Sequence, residues 1–131
     1  MNETLKKLNW KTGEIAVIDA PEELAAEVAS WKEFATVSDV LPKDGNLPCA
    51  VVFVKTAAGV AKMAKPVHQA LVDDGLCWFV YPKKTSKKYR TDISRDSGWE
   101  ALNALGYRPV RLVALSDDWS AFRFRLEKYV N

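Results

Sequence analysis

Three features of the sequence predict an open, mostly parallel α/β sheet closed by an antiparallel C-terminal hairpin. Near-continuous apolar runs at residues 14–19 (EIAVID), 49–54 (CAVVFV) and 76–81 (LCWFVY) suit strands buried on both faces, as in a parallel sheet covered by helices. Segments of helical periodicity separate those runs, which is the alternation of a doubly wound sheet and not of a bundle or sandwich. Two further β-rich runs, residues 108–115 and 119–126, are joined only by Ser116, Asp117 and Asp118, a polar turn that folds them back on each other.

In chain order, the first strand leads into a helix that Pro21 opens, with Glu22 and Glu23 at the positive end of its dipole and Leu24, Val28 and Trp31 on one face. Residues 35–40 (ATVSDV) alternate more and are shorter, as expected of an edge strand. After the strand at 49–54, the apolar stripe Val60, Met63, Ala64, Val67 and Leu71 predicts a helix that Pro66 should kink or divide and Gly75 should end. A third helix is expected from the capping-box spacing of Ser97 and Glu100, with Trp99, Leu102 and Leu105 as its stripe and Gly106 as its stop. No repeat or low-complexity linker interrupts the pattern, so residues 1–131 are read as one domain.

Composition bounds the function classes. Apolar residues at 48% and charged residues at 27% exclude a disordered chain, and a net charge of +2 is too small to argue for nucleic acid or a membrane surface. The charge is unevenly placed, however, because Lys83, Lys84, Lys87, Lys88 and Arg90 lie within one short acid-free segment. The N-terminal residues carry no apolar stretch suited to a signal peptide and no run approaches a membrane span, so a cytoplasmic protein is expected. Cys49 and Cys77 each open an apolar run and read as reduced, structural thiols. His68 is the only histidine, which removes a zinc cluster or a serine–histidine relay from consideration and leaves it a structural role.

The pieces Tyr81-Pro82-Lys83, Arg95-Asp96-Ser97-Gly98-Trp99 and Trp119-Ser120-Ala121-Phe122-Arg123-Phe124-Arg125 resemble the marks of a family of short bacterial proteins with this same layout. The resemblance spans nearly the whole chain. It implies a reduced Rossmann-like domain, similar to a trimmed class I methyltransferase, whose last strand returns antiparallel between its neighbours. The family carries no assigned activity, so the resemblance informs the fold and not the chemistry.

In an open α/β sheet, ligands bind beyond the carboxyl ends of the strands, where strand order reverses. That rule selects the loops bearing Asp19 and Glu22, Lys55 and Thr56, and Tyr81, Lys83 and Lys84, with Lys87 and Arg90 farther along the basic segment. An anionic small molecule suits such a set. S-adenosylmethionine is disfavoured, because Asp19-Ala20-Pro21-Glu22 stands where a glycine-rich turn would let a nucleotide cofactor approach the backbone; NAD is disfavoured further for the same reason. Asp39, near the end of the second strand, is placed to meet ribose hydroxyls. Gly59 and Lys62 form no Walker pattern.

Several other residues read as structural. Arg95 and Asp96 fit a cap and surface ion pair, Trp99 fits a core anchor, and Arg123 and Arg125 share one sheet face where they either cover a helix or meet an acidic partner helix. The sequence therefore predicts a non-catalytic domain that binds a protein partner or an anionic small molecule at the strand-end crevice, with Asp19, Lys83 and Lys84 foremost. The alternatives are a degenerate S-adenosylmethionine-dependent methyltransferase-like enzyme using Tyr81 or Lys83 as acid/base group, and a nucleic-acid-binding module built on the basic loop. No catalytic residue and no metal ligand is assigned.

Overall fold

A computed structural model describes residues 2–130. Its centre is one six-stranded sheet in the order β2-β1-β3-β4-β6-β5. The strands are β1 (Ile15–Ile18), β2 (Val37–Ser38), β3 (Leu47–Phe53), β4 (Leu71–Pro82), β5 (Tyr107–Ala114) and β6 (Trp119–Leu126). β2, β1, β3 and β4 run parallel, and β6 lies antiparallel between β4 and β5. Continuous apolar runs became the central parallel strands because each alternates its side chains into two separate cores.

On one face, Ala50, Val52, Cys77, Phe79 and Phe124 pack against Val60, Ala64 and Val67 of helix α3 (Ala57–Ala70) and Leu102 of helix α4 (Glu100–Ala104). On the other, Val51, Phe53, Trp78 and Val80 pack against Leu5 of helix α1 (Glu3–Lys7), Leu8 just beyond it, and Trp31 just beyond helix α2 (Ala25–Ser30). The sequence pattern did not single out α1. Its five residues are too few for periodicity, yet Asn2 caps it through the Leu5 amide at 3.0 Å and Trp78 Nε1 donates to the Leu8 carbonyl at 2.9 Å inside the core.

Three expectations are corrected. Pro66 neither divides nor ends α3, which runs unbroken through it; Val60, Ala64, Val67 and Ala70 bury one stripe firmly enough to outweigh the missing hydrogen bond. Gly75 does not stop that helix. The chain turns extended at Leu71 and enters β4, where the register passes from Leu47↔Leu71 to Cys49↔Leu76 and the surplus residues, with Asp74 at φ +57°, form an irregular bend. Ser97 does not cap α4, whose N-cap is Trp99; the Ser97 amide and carbonyl bridge instead to Ser94 in a tight turn that exposes Arg95 and Asp96.

The smaller structural assignments fall as follows. Cys49 and Cys77 are free and buried, Trp99 is a core residue ringed by Phe79, Tyr81, Phe122 and Phe124, and Gly106 ends α4 at φ +95°. Burial pushes the Cys49 thiol up to about 12 and the Cys77 thiol higher still, which keeps both protonated and unreactive. His68 Nδ1 lies 2.8 Å from the Tyr107 hydroxyl at the opposite end of the sheet from the predicted crevice. No helix among the described residues is long and apolar enough to cross a membrane.

Candidate functional site

The strand order reverses at β1, which has β2 on one side and β3 on the other, so the crevice expected of this architecture opens at their carboxyl ends. Two hollows lie there and share Asp19 and Ala20. One, of about 630 Å³, runs between β1 and β2 under α2 and is walled by Val28, Ala29, Lys32, Ser38 and Asp39. The other, of about 510 Å³, lies between β1, β3 and the start of α3 and is walled by Pro21, Lys55, Gly59, Lys62, Met63 and Trp119. Together they offer apolar surface, two carboxylates and Lys32 on the β2 side, and on the β3 side Lys55 and Lys62, which form no ion pair among the described residues.

Asp19 sits at the ridge between them with φ +59°. A side chain in this left-handed region crowds the backbone, and aspartate tolerates it better than most residues without being relieved of it. The chain therefore makes at Asp19 the kind of turn that glycine usually makes. The sequence shows the missing glycine but not that the turn persists without it.

Behind the β3 side the basic segment packs through Tyr89 against Trp119 and Lys55, and the chain's own acids determine how. Glu23 accepts from the Tyr89 hydroxyl at 2.6 and 2.8 Å and from Trp119 Nε1 at 3.2 Å, with Lys88 Nζ 3.4 Å away. These contacts, the tyrosine's first, pull the Glu23 carboxyl down to about 2 against the opposing effect of desolvation, while the carboxylate raises Lys88 and Tyr89. The segment is pinned elsewhere too: the Lys83 amide donates to the Asp118 carbonyl, Ser86 Oγ to Asp118, and Thr91 Oγ1 to the Lys55 carbonyl. Asp92 accepts from the Ala57 amide at 2.8 Å and Thr56 Oγ1 from the Gly59 amide at 3.0 Å, so the chain's own oxygens occupy the start of α3. The positive groups left facing this hollow are Lys55 and Lys62.

The structure thus brings together only part of the predicted set. Asp19 and Lys55 line the crevice; Thr56 is spent on capping, and Glu22 opens a 3-10 turn outside the lining. Tyr81 is buried beside Trp99 and Phe122, its hydroxyl shifted upward by burial, on the α4 side of the sheet. Lys83, Lys84, Lys87 and Arg90 line neither hollow, and the last three point into solvent. Lys62 and Trp119 take the places expected of them, and Glu23 anchors Tyr89 and Trp119 from outside the lining. Strand alternation could have put Trp119 on this face, but no sequence signal pairs Glu23 with Tyr89. Among the described residues, no group of three histidine, cysteine or carboxylate side chains is gathered to hold a metal.

Neither a family model nor a curated protein matches the chain by sequence. Solved structures match it by fold. A candidate type 11 methyltransferase from Sulfolobus solfataricus superposes with a TM-score of 0.58 over 98% of this chain and 92% of its own, at 9% identity. A SAM dependent methyltransferase from Aquifex aeolicus gives 0.54 over 93% and 87%, at 13% identity, and the glycopeptide N-methyltransferase MtfA gives 0.58 over 95% and 93%, at 8%. The likeness is one of architecture: a class I methyltransferase-like α/β sheet, mostly parallel, with an antiparallel C-terminal pair.

Proposed function

We propose that the chain is a small-molecule-binding domain that holds an anion-bearing ligand in the crevice at the carboxyl ends of β1 and β3. Lys55 and Lys62 take the anion, Asp19 takes a hydroxyl or amine of the ligand, and the hollow beneath α2, mixed polar and apolar, takes its body. The observation that carries this reading is the left-handed Asp19 at the junction of two hollows with both lysines on one wall. Backbone strain held at the mouth of a cavity is characteristic of sites where side-chain position matters more than stability.

Thermal denaturation with nucleotides, phosphorylated sugars and S-adenosylhomocysteine tests it. A ligand at a hundred times its dissociation constant adds about 2.7 kcal/mol to stability. The expected result is a rise in melting temperature with a phosphorylated ligand that Lys55→Ala with Lys62→Ala removes. An equal rise in that double variant would place the ligand elsewhere, and no rise with any compound would remove the proposal.

A second reading, binding of S-adenosylmethionine for methyl transfer, draws on the SAM-dependent enzyme among its structural neighbours. Asp39 at the end of β2 is positioned for ribose hydroxyls under that reading. The lysine wall separates the two, since ammonium groups repel a sulfonium and attract a phosphate. Preference for S-adenosylmethionine over a nucleotide of the same size, with transfer of a labelled methyl group, would establish the second reading over the first.

A further inference from the structure

Away from the crevice, part of the sheet lacks a helical layer. On the face that α1 and α2 cover, Trp119 and Ala121 of β6 are buried, but farther along β6 and across β5 the same face bears Arg123, Arg125, Arg111 and half-buried Val113. Sheets of this architecture are ordinarily covered on both sides. Here two arginine pairs lie directly opposite across the antiparallel strands, Arg111 with Arg123 and Arg108 with Arg125, an arrangement that destabilises a sheet when uncompensated.

Only one pair is compensated. Arg125 Nε donates to Asp74 at 2.9 Å, and Arg108 lies 3.5 Å from Glu127. Among the described residues Arg111 and Arg123 have no ion-pair partner, and Arg123 Nε is buried with no acceptor. Burial, followed by the neighbouring Arg125, lowers the Arg123 pKa, and Asp74 offsets this only in part. A buried donor left unpaired costs stability.

We propose that Arg111, Arg123 and Val113 form a docking surface for an acidic amphipathic helix of a partner protein. The partner's apolar residues cover Val113 and the arginine stems, and its carboxylates neutralise the two guanidinium groups. A second copy of this chain is a poor occupant, because it would set the same unpaired arginines against themselves.

The test uses the full chain and a synthetic helical peptide of about 18 residues with glutamate and leucine along one face, against a control with lysine at every glutamate. The acidic peptide is expected to bind with micromolar affinity and to shift amide resonances of β5 and β6 only. Arg111→Gln should weaken it about tenfold while leaving the melting temperature equal or higher, because it relieves repulsion. Arg123→Gln should do likewise; should that half-buried variant fail to fold, the exposed Arg111→Gln carries the test alone. Equal binding of the lysine peptide, resonance shifts in residues 83–90 instead, no saturation at millimolar peptide, or an Arg111-dependent dimer of the free chain would each overturn the proposal. So would a fall in melting temperature of Arg111→Gln with unchanged peptide affinity, which would make the cluster structural.

Discussion

Asp19 concentrates the conflict between folding and function in one residue. Replacement by glycine removes a backbone clash of roughly 1 kcal/mol and adds a comparable entropy cost in the unfolded chain, so Asp19→Gly should denature close to wild type in urea. Asp19→Val adds a β-branched side chain to the same φ +59° and should cost about 1–2 kcal/mol. Both variants lose the carboxylate and should lose ligand affinity alike, which separates the side chain's role from the turn's. Glu23 supplies a prediction in pH. Its folded pKa of about 2 lies below the ordinary 4.5, so its contribution is whole above 4.5 and disappears as pH falls from there toward 2. Glu23→Gln should flatten the acid side of the stability profile over that window and leave the profile above pH 5 parallel to wild type. Neither residue's part was legible in the sequence: the positive φ has no compositional mark when glycine is absent, and Tyr89 stands 66 positions from Glu23.

Elements were legible where a period had room to repeat. The strands at 14–19, 49–54 and 76–81 and the stripe of α3 each carry enough alternating or helically spaced residues to declare themselves, and all formed. α1, with five residues, offers too short a run, whereas the equally short α4 was marked in the sequence by Leu102 and by its stop at Gly106; tertiary burial of Leu5 and Leu102 holds both in place. Pro66 misled because local propensity argues for a break, whereas four buried positions on the same helix argue for continuity and prevail. Since Pro66 itself faces solvent, Pro66→Ala restores a backbone hydrogen bond without disturbing the core. The helix-interior penalty of about 3 kcal/mol, less about 1 for the unfolded-state rigidity that proline confers, gives a gain near 2 kcal/mol. A loss of stability on that substitution would mean that the proline packs against something a solvent-facing position does not show. The basic segment was legible as a charge anomaly but not as a tethered, outward-facing loop. Its side chains turn outward because its backbone is tied inward by Ser86, Tyr89, Thr91 and Asp92, none of which the charge pattern distinguishes.

At the scale of the molecule, two cores lie on opposite faces of one sheet and share its strands residue by residue. Val51 and Phe53 enter one core while Ala50 and Val52 enter the other, and Trp78 and Phe79 divide in the same way along β4. Neither core can loosen without releasing strands that the other needs, so unfolding should be one cooperative event. Leu8 tests this from the outermost layer. It is fully buried, and its carbonyl receives the Trp78 indole across 70 residues of chain. Leu8→Ala leaves a cavity against that ring and should cost about 2–5 kcal/mol, a large share of the roughly 5–15 kcal/mol that holds a domain together. Leu102→Ala, on the far face, should cost a similar amount. If the sheet couples the cores as its alternation requires, each variant should still unfold in a single calorimetric transition whose enthalpy equals the van't Hoff value. Near- and far-ultraviolet dichroism should then lose signal at one temperature in both proteins. A separate, earlier transition in Leu8→Ala alone would show that α1 and its core melt independently of the strands beneath, and that the sheet is held chiefly from the α3 side.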